Sequence, residues 1–257
     1  MKYVKQITEI IKQAGVVARS YDHRMVAVHR KSDGSFYTDA DVAVQEFLIQ
    51  KLVALVPGSG VIAEELSCNN PQPYTWVIDP IDGTKNFIKG LPYWGITIAL
   101  MHHDQVIVAA THMPVMGDLV YAQLGQGCWY NDVMISKGTG SWHRQNVGVL
   151  MTVAGSVPTF QDRKTQVSKA IQQMTGSVVS KRQGGAVAVD LAYVAAGALD
   201  VAVLGHMNWW DVAAGTLLVA EAGGMVVQQD LTMVKPDFVW MVAGNRTIAE
   251  KIASMIA

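Results

Sequence analysis

Asp79-Pro80-Ile81-Asp82-Gly83-Thr84-Lys85-Asn86-Phe87 follows Tyr74-Thr75-Trp76-Val77-Ile78, so two carboxylates and a proline stand at the end of a run that reads as a buried strand. Proline fixes its own backbone and removes a ladder donor, which predicts that the strand stops near Asp79 and lets Asp79 and Asp82 converge instead of facing opposite ways. Gly83 permits a close backbone approach. Gly83-Thr84-Lys85 then opens a helical turn whose N–H groups suit a phosphate. Clustered carboxylates repel such a phosphate unless a cation stands between them. Oxygen-only ligands favour Mg²⁺, whereas zinc more often recruits His or Cys. Taken alone, the stretch reads equally well as a simple turn.

Three further segments shift that balance. Gly60-Val61-Ile62-Ala63 predicts a short strand that leads straight into Glu64-Glu65. Trp209-Trp210-Asp211-Val212-Ala213-Ala214-Gly215 sets a carboxylate at the start of a small-residue helix, where its bland role is an N-cap. Thr38-Asp39-Ala40-Asp41 leads into an amphipathic helix carrying Val44, Phe47, Leu48, Leu52 and Leu55 and ending at Pro57-Gly58; its bland role is a capping box.

Around these segments, helix and strand patterns alternate. Val4, Ile7, Ile11, Ala14 and Ala18 form one stripe of an N-terminal amphipathic helix, unlike a signal peptide. Strand-like runs recur at 74–79, 93–101, 105–113 and 118–122. The second half carries a strand at 149–154 and helical patterns near 161–174, 186–197, 211–222 and 247–256. The chain reads as α/β (α+β) in two lobes: 1–140, with most of the acidic segments, and 141–257, with Asp211, the boundary falling in the loop around 136–147.

The 257 residues suffice for a full core, and 20 basic against 21 acidic residues give a net charge of −1. That balance predicts no nucleic-acid partner and no attraction to an anionic membrane, and a small ligand instead. Charged, glycine or proline residues interrupt each apolar run before bilayer-spanning length. Cys68 and Cys128 form no CxxC pair, which suits a reducing, cytoplasmic setting.

The order Thr38-Asp39-Ala40-Asp41, Glu64-Glu65, Asp79-Pro80-Ile81-Asp82-Gly83-Thr84, Trp210-Asp211-Val212-Ala213-Ala214-Gly215 and Glu221-Ala222-Gly223-Gly224 resembles the inositol monophosphatase family of Mg²⁺-dependent, lithium-sensitive phosphatases. The resemblance covers nearly the whole chain. It implies a layered αβαβα sandwich, a homodimer, two or three Mg²⁺ ions per subunit and inhibition by Li⁺. It makes Glu64, Asp79 and the Ile81 carbonyl ligands of one metal, and Asp79, Asp82 and Asp211 ligands of a second, with Glu65 in support of a weaker third. By the same resemblance, Thr84 and Asp41 orient the attacking water, with Glu64 counted among the catalytic groups. Asp82, Gly83, Thr84, Gly185, Val187, Leu204 and Asp211 face the substrate.

One departure bears on specificity. Seven residues before the metal aspartate, inositol-handling relatives carry a glutamate, and here Leu204 stands there. Leucine accepts no hydrogen bond from a polyol. The implied reaction is water-driven hydrolysis of small phosphomonoesters. The alternatives are a 3′,5′-bisphosphate nucleotidase or sugar bisphosphatase, and a regulatory binding protein that keeps the fold. Arg30 and Lys31 lie near a basic family position but receive no assignment. Lys85 reads equally as a phosphate contact or a solvated loop lysine, His102-His103 read as surface or strand-end residues, and Trp209 and Trp210 as packing residues.

Overall fold

In the computed structural model, the described residues are 3–32, 34–65, 69–70, 72–135, 149–155, 165–166, 168–170, 172–173, 176, 179–228, 230 and 233–256. The proposed lobe boundary at 136–147, much of the helical pattern near 161–174, and Cys68 lie outside them. Cys128 is buried and unbridged.

Helices α1 (Val4–Arg19) and α2 (Asp39–Leu55) cover one face of an eight-stranded sheet. A hairpin of β1 (Val28–Arg30) and β2 (Phe36–Thr38) joins them. The large sheet contains β3 (Gly60–Ala63), β4 (Asn69–Asn70), β5 (Tyr74–Asp82), β6 (Gly95–His102), β7 (Gln105–Met113), β8 (Asp118–Gln123), β9 (Gly127–Tyr130) and β10 (Val133–Met134), in the order β10-β9-β8-β7-β6-β5-β3-β4. A short helix α3 (Thr84–Ile88) follows β5. The stripe Val4, Ile7, Ile11, Ala14 and Ala18 is buried, as its spacing predicts.

The second half contributes β11 (Val149–Gly155), β12 (Val179–Arg182), α4 (Val187–Ala196), β13 (Val201–Gly205), α5 (Trp209–Glu221), β14 (Met225–Gln228), β15 (Trp240–Gly244) and α6 (Arg246–Ile256). Its strands form a five-stranded sheet ordered β12-β11-β13-β15-β14. Helices α4 and α5 are apolar on most sides because they lie between the two sheets, sharing one core with Val77, Ala99 and Ala109 of the large sheet and Ala202, Leu204 and Met241 of the small one. The amphipathic α6 covers the outer face, packing Ile248, Ile252 and Ile256 on Val201, Val203 and Val242. The layers are therefore α, β, α, β, α, the sandwich that the resemblance implies. No helix among the described residues is long and apolar enough to cross a membrane.

One local expectation is corrected. Strand β5 does not stop at Asp79 but runs through Pro80 to Asp82. Its pairing with β6 passes from Asp79↔Thr97 to Asp82↔Gly95, so β5 advances three residues while β6 advances two. Proline has no N–H to give the ladder, and the extra residue is absorbed as a bulge. Residues three apart on a regular strand face opposite ways. The bulge instead sets both aspartates opposite Thr97 and Gly95, two residues apart on one face of β6.

Candidate functional site

The face that carries Asp79 and Asp82 is the one covered by the middle helices, and Asp82 is held there by the start of α4. Its Oδ1 accepts from Val187 N (3.1 Å), and its Oδ2 accepts from Ala188 N (2.7 Å) and Val189 N (3.2 Å). These are the first N–H groups of the helix, which lack intrahelical acceptors. Gly83 follows with φ +91°; a Cβ there would stand 2.9 Å from Ala186 Cβ and 3.2 Å from Tyr93 O. Both the left-handed backbone and the close approach demand glycine. Gly185, in the facing loop, also has positive φ (+77°).

Strand β3 runs parallel to β5 with Ala63 opposite Ile78, so Glu64 leaves the sheet beside Asp79. Lys31, between β1 and β2, reaches across and donates to Glu64 Oε1 and Glu65 Oε1, both at 2.8 Å. The Glu65 N–H donates to Gln45 Oε1 at 2.9 Å, which fixes the turn after β3. Asp79 Oδ1 accepts from Ile81 N at 3.1 Å.

Asp41 is fully buried in the first turn of α2. Its Oδ2 accepts from Thr38 N (2.8 Å) and Thr38 Oγ1 (2.5 Å), and its own N–H donates to Thr38 Oγ1 (3.4 Å), closing the expected capping box. Its Oδ1 faces the Thr84 hydroxyl at 3.3 Å, and that hydroxyl also lies 3.1 Å from the Ile81 carbonyl. A threonine O–H has one proton, so these two acceptors compete for it. Asp211 sits at the third position of α5, where its Oδ2 accepts from Asn208 N at 2.9 Å. Asn208 is the N-cap, the bland role considered for Asp211 itself.

The electrostatics join these groups. Burial pushes the Asp79 carboxyl well above its usual range, and Glu64, Asp82 and Asp211 add repulsion. Asp82 is likewise raised by burial and by Asp211, against the amides of Val189 and Ala188. Asp211 is raised to about 7 by burial and Glu64. Glu65 is raised to about 7 by the same two causes, against Lys31. Asp41 is raised to about 6, chiefly by burial. Burial works against the Lys31 charge, but Glu64 and Glu65 outweigh it and raise its pKa.

The arrangement is rich in anions and short of cations. At an effective dielectric of about 20, two unit charges about 4 Å apart repel by roughly 4 kcal/mol. Among the described residues, no three His, Cys, Asp or Glu side chains already enclose a cation position. The carboxylates instead take protein donors: Asp82 the α4 amides, Glu64 and Glu65 Lys31, Asp211 the Asn208 amide. The donor set of carboxylates and the Ile81 carbonyl, with no histidine or thiol, fits a hard divalent cation.

A pH dependence follows. Carboxyls that protonate more readily in the fold than in the open chain contribute stability that is complete below their unfolded values and lost as pH rises through the folded ones. With Asp211 and Glu65 raised to about 7 and Asp79 raised well above its usual range, the protein in a chelator is expected to melt at progressively lower temperature as pH rises from about 5 to about 8. Mg²⁺ should reverse most of the loss at the upper end. Thermal melts with and without the cation measure both.

Leu204 contacts other side chains than the carboxylates. It is fully buried on β13, opposite Ala154 and Met241, within the core shared with α4 and α5. Lys31 is the group that sequence reasoning left unassigned. The available signal is the basic pair Arg30-Lys31 near a basic family position, but only the folded hairpin carries Lys31 to Glu64 and Glu65. Lys85 is exposed, and His102 stacks on Tyr74 at the β6–β7 end, apart from the acidic cluster.

Comparison with known proteins gives a consistent result. The profile described as the inositol monophosphatase family matches residues 2–256. Inositol-1-monophosphatase of Caulobacter vibrioides is 32% identical over 206 residues, covering 79% of either chain. Nus factor SuhB of Salmonella typhimurium is 34% identical over 218 residues, covering 84% of this chain and 80% of that one. The solved extragenic suppressor protein suhB from Bartonella henselae superposes with a TM-score of 0.86 at 25% identity, covering 100% of this chain and 98% of the other.

Proposed function

This chain belongs to the inositol monophosphatase family, and from that premise we propose that it hydrolyses small phosphomonoesters in an Mg²⁺-dependent reaction driven by water. The observation that carries the proposal is the convergence of four carboxylates, Glu64, Asp79, Asp82 and Asp211, whose mutual repulsion Lys31 offsets in part and a bound cation would relieve further. Glu64, Asp79, Asp82, Asp211 and the Ile81 carbonyl would hold the metal, with Glu65 in support. Bound there, Mg²⁺ supplies charge neutralisation for the phosphate and a lowered pKa for water.

The protein groups then have separable tasks. The Thr84 hydroxyl lies between Asp41 Oδ1 and the Ile81 carbonyl; with its one proton given to Asp41, its oxygen is left to accept from a water and so to orient it. Asp41 is in turn held by two donations from Thr38. The N–H groups of Thr84 and Lys85 start α3 before its first intrahelical donors, Asn86 and Phe87, which both bond Gly83 O; they are suited to phosphate oxygens. Gly83 keeps that approach open. Lys31 holds the Glu64–Glu65 corner and offsets part of its charge.

The test is a panel of inositol, glycerol, sugar and nucleotide phosphates, followed by phosphate release. Release from at least one small monoester is expected, and a panel without turnover at any Mg²⁺ concentration contradicts the reading. Thr84→Ala is expected to lower kcat by roughly 10²-fold or more with little change in KM, because the hydroxyl orients the nucleophile while the amides still bind phosphate. A variant altered only in KM would assign Thr84 to substrate binding.

A further inference from the structure

The start of α4 fixes Asp82, and the next side chain along, Asp190, fixes α4. Asp190 is 1% exposed, a buried carboxylate to which the reaction outlined above gives no task. Its Oδ1 accepts from the Tyr93 hydroxyl at 2.5 Å, and its Oδ2 accepts from the Thr152 hydroxyl at 2.6 Å. Thr152 belongs to β11 in the small sheet, and Tyr93 lies just before β6 in the large one. Asp190 thus ties the helix to both sheets at once.

Tyr93 is itself held from two further directions. Its carbonyl accepts from Asn86 Nδ2 at 2.6 Å, and the same amide group donates to Gly184 O at 2.9 Å. Its ring fills the space beside Gly184, where a Cβ would stand 2.2 Å from the ring. A chain of contacts therefore runs from α3, through Tyr93 and Asp190, to the first turn of α4 and back to Asp82. Burying a carboxylate is costly unless it is well hydrogen-bonded, and burial raises the Asp190 carboxyl against the two hydroxyls that lower it. An apolar residue at this helix position would leave the Tyr93 and Thr152 hydroxyls without their acceptor, so the acid is what locks the helix to both partners.

We propose that Asp190, through Tyr93 and Thr152, is a positioning group that sets the axial placement of α4 and thereby the direction in which Asp82 presents its carboxylate to the cation. The inference rests on the metal reading given above. Of the Asp82 oxygens, Oδ2 accepts two amides and Oδ1 one, so a shift of α4 along its axis moves the donors of both. Outer groups that orient metal ligands commonly change affinity by about 10- to 100-fold when removed.

Tyr93→Phe and Thr152→Val each delete one hydroxyl with little change of shape. In the full-length protein, Mg²⁺ binding followed by calorimetry is expected to weaken by about tenfold in each, with the fold retained by circular dichroism. Thr75→Val is the control. It removes a buried hydroxyl that donates to Gln72 O (2.6 Å) and accepts from Gln72 N (2.8 Å) at the start of β5, the other end of the strand from Asp79 and Asp82, and it should lower the melting temperature while leaving Mg²⁺ affinity as in the wild type. Folded Tyr93→Phe and Thr152→Val proteins that bind Mg²⁺ like the wild type would overturn the positioning role. Equal weakening in Thr75→Val would overturn it too, since a general loss of stability would then suffice. A wild type that binds no Mg²⁺ fails at the earlier step, the metal reading, and is recognised by that.

Discussion

Asp79→Asn is expected to abolish nearly all turnover while raising the melting temperature of the metal-free protein. The two effects have one cause. Asp79 is buried beside Glu64, Asp82 and Asp211, and removing its charge relieves repulsion that no protein cation fully offsets. Its hydrogen bond from Ile81 N survives, because the asparagine carbonyl accepts equally well. If the relief amounts to about 1 kcal/mol, the melting temperature rises by about 2–4 °C. A neutral amide is a poor Mg²⁺ ligand, so kcat/KM should fall by about a thousandfold or more, about 4 kcal/mol of transition-state stabilisation. Mg²⁺ should stabilise this variant less than the wild type. Retained activity, or a variant less stable than the wild type in chelator, would contradict the account of the cluster.

Leu204→Glu is expected to be the most destabilising of the substitutions considered. Its side chain is fully buried in the core that α4 and α5 share with both sheets. A carboxylate introduced there loses its hydration, and burying such a group without partners costs several kcal/mol. At about 2–4 °C per kcal/mol, the melting temperature should drop by on the order of 10 °C. Leu204→Met, which conserves volume, should stay within about 1.5 kcal/mol of the wild type. A stable Leu204→Glu with raised relative efficiency toward inositol monophosphate over glycerol phosphate would instead put this position in contact with the polyol.

The strongly periodic elements were legible in the sequence. The stripe of α1, the Thr38–Asp41 box that starts α2, and the apolar run into Asp79 each carry a local signal, and the structure has those elements where the signal is. Most of the small sheet was not legible. Strands β12 to β15 are four or five residues long, too short to show a period, and their identity comes from pairing with one another across distant parts of the chain. The bulge at Pro80 was half legible: proline announces a break, but only the register against β6 shows that the strand resumes and turns both aspartates to one face.

The acidic residues of the candidate site could be picked out because each stands at the end of a strand or the start of a helix. Their partners could not. Lys31 depends on the fold of a three-residue hairpin strand, and the Asp190–Tyr93 contact spans 97 positions. Leu204 illustrates the opposite difficulty: the resemblance implies a substrate-facing position, and its full burial in β13 follows from packing that no local pattern encodes.

The central claim is that the cluster of Glu64, Asp79, Asp82 and Asp211 works with a divalent cation to release phosphate. The most direct test is the initial rate of phosphate release from inositol monophosphate and glycerol phosphate by wild-type protein stripped with EDTA, then titrated with Mg²⁺. The account predicts no release from the stripped protein, a saturable return of release from at least one of the two esters, and none of that return in Asp79→Asn. Release that persists unchanged in EDTA, or that Mg²⁺ restores equally in Asp79→Asn, would contradict it.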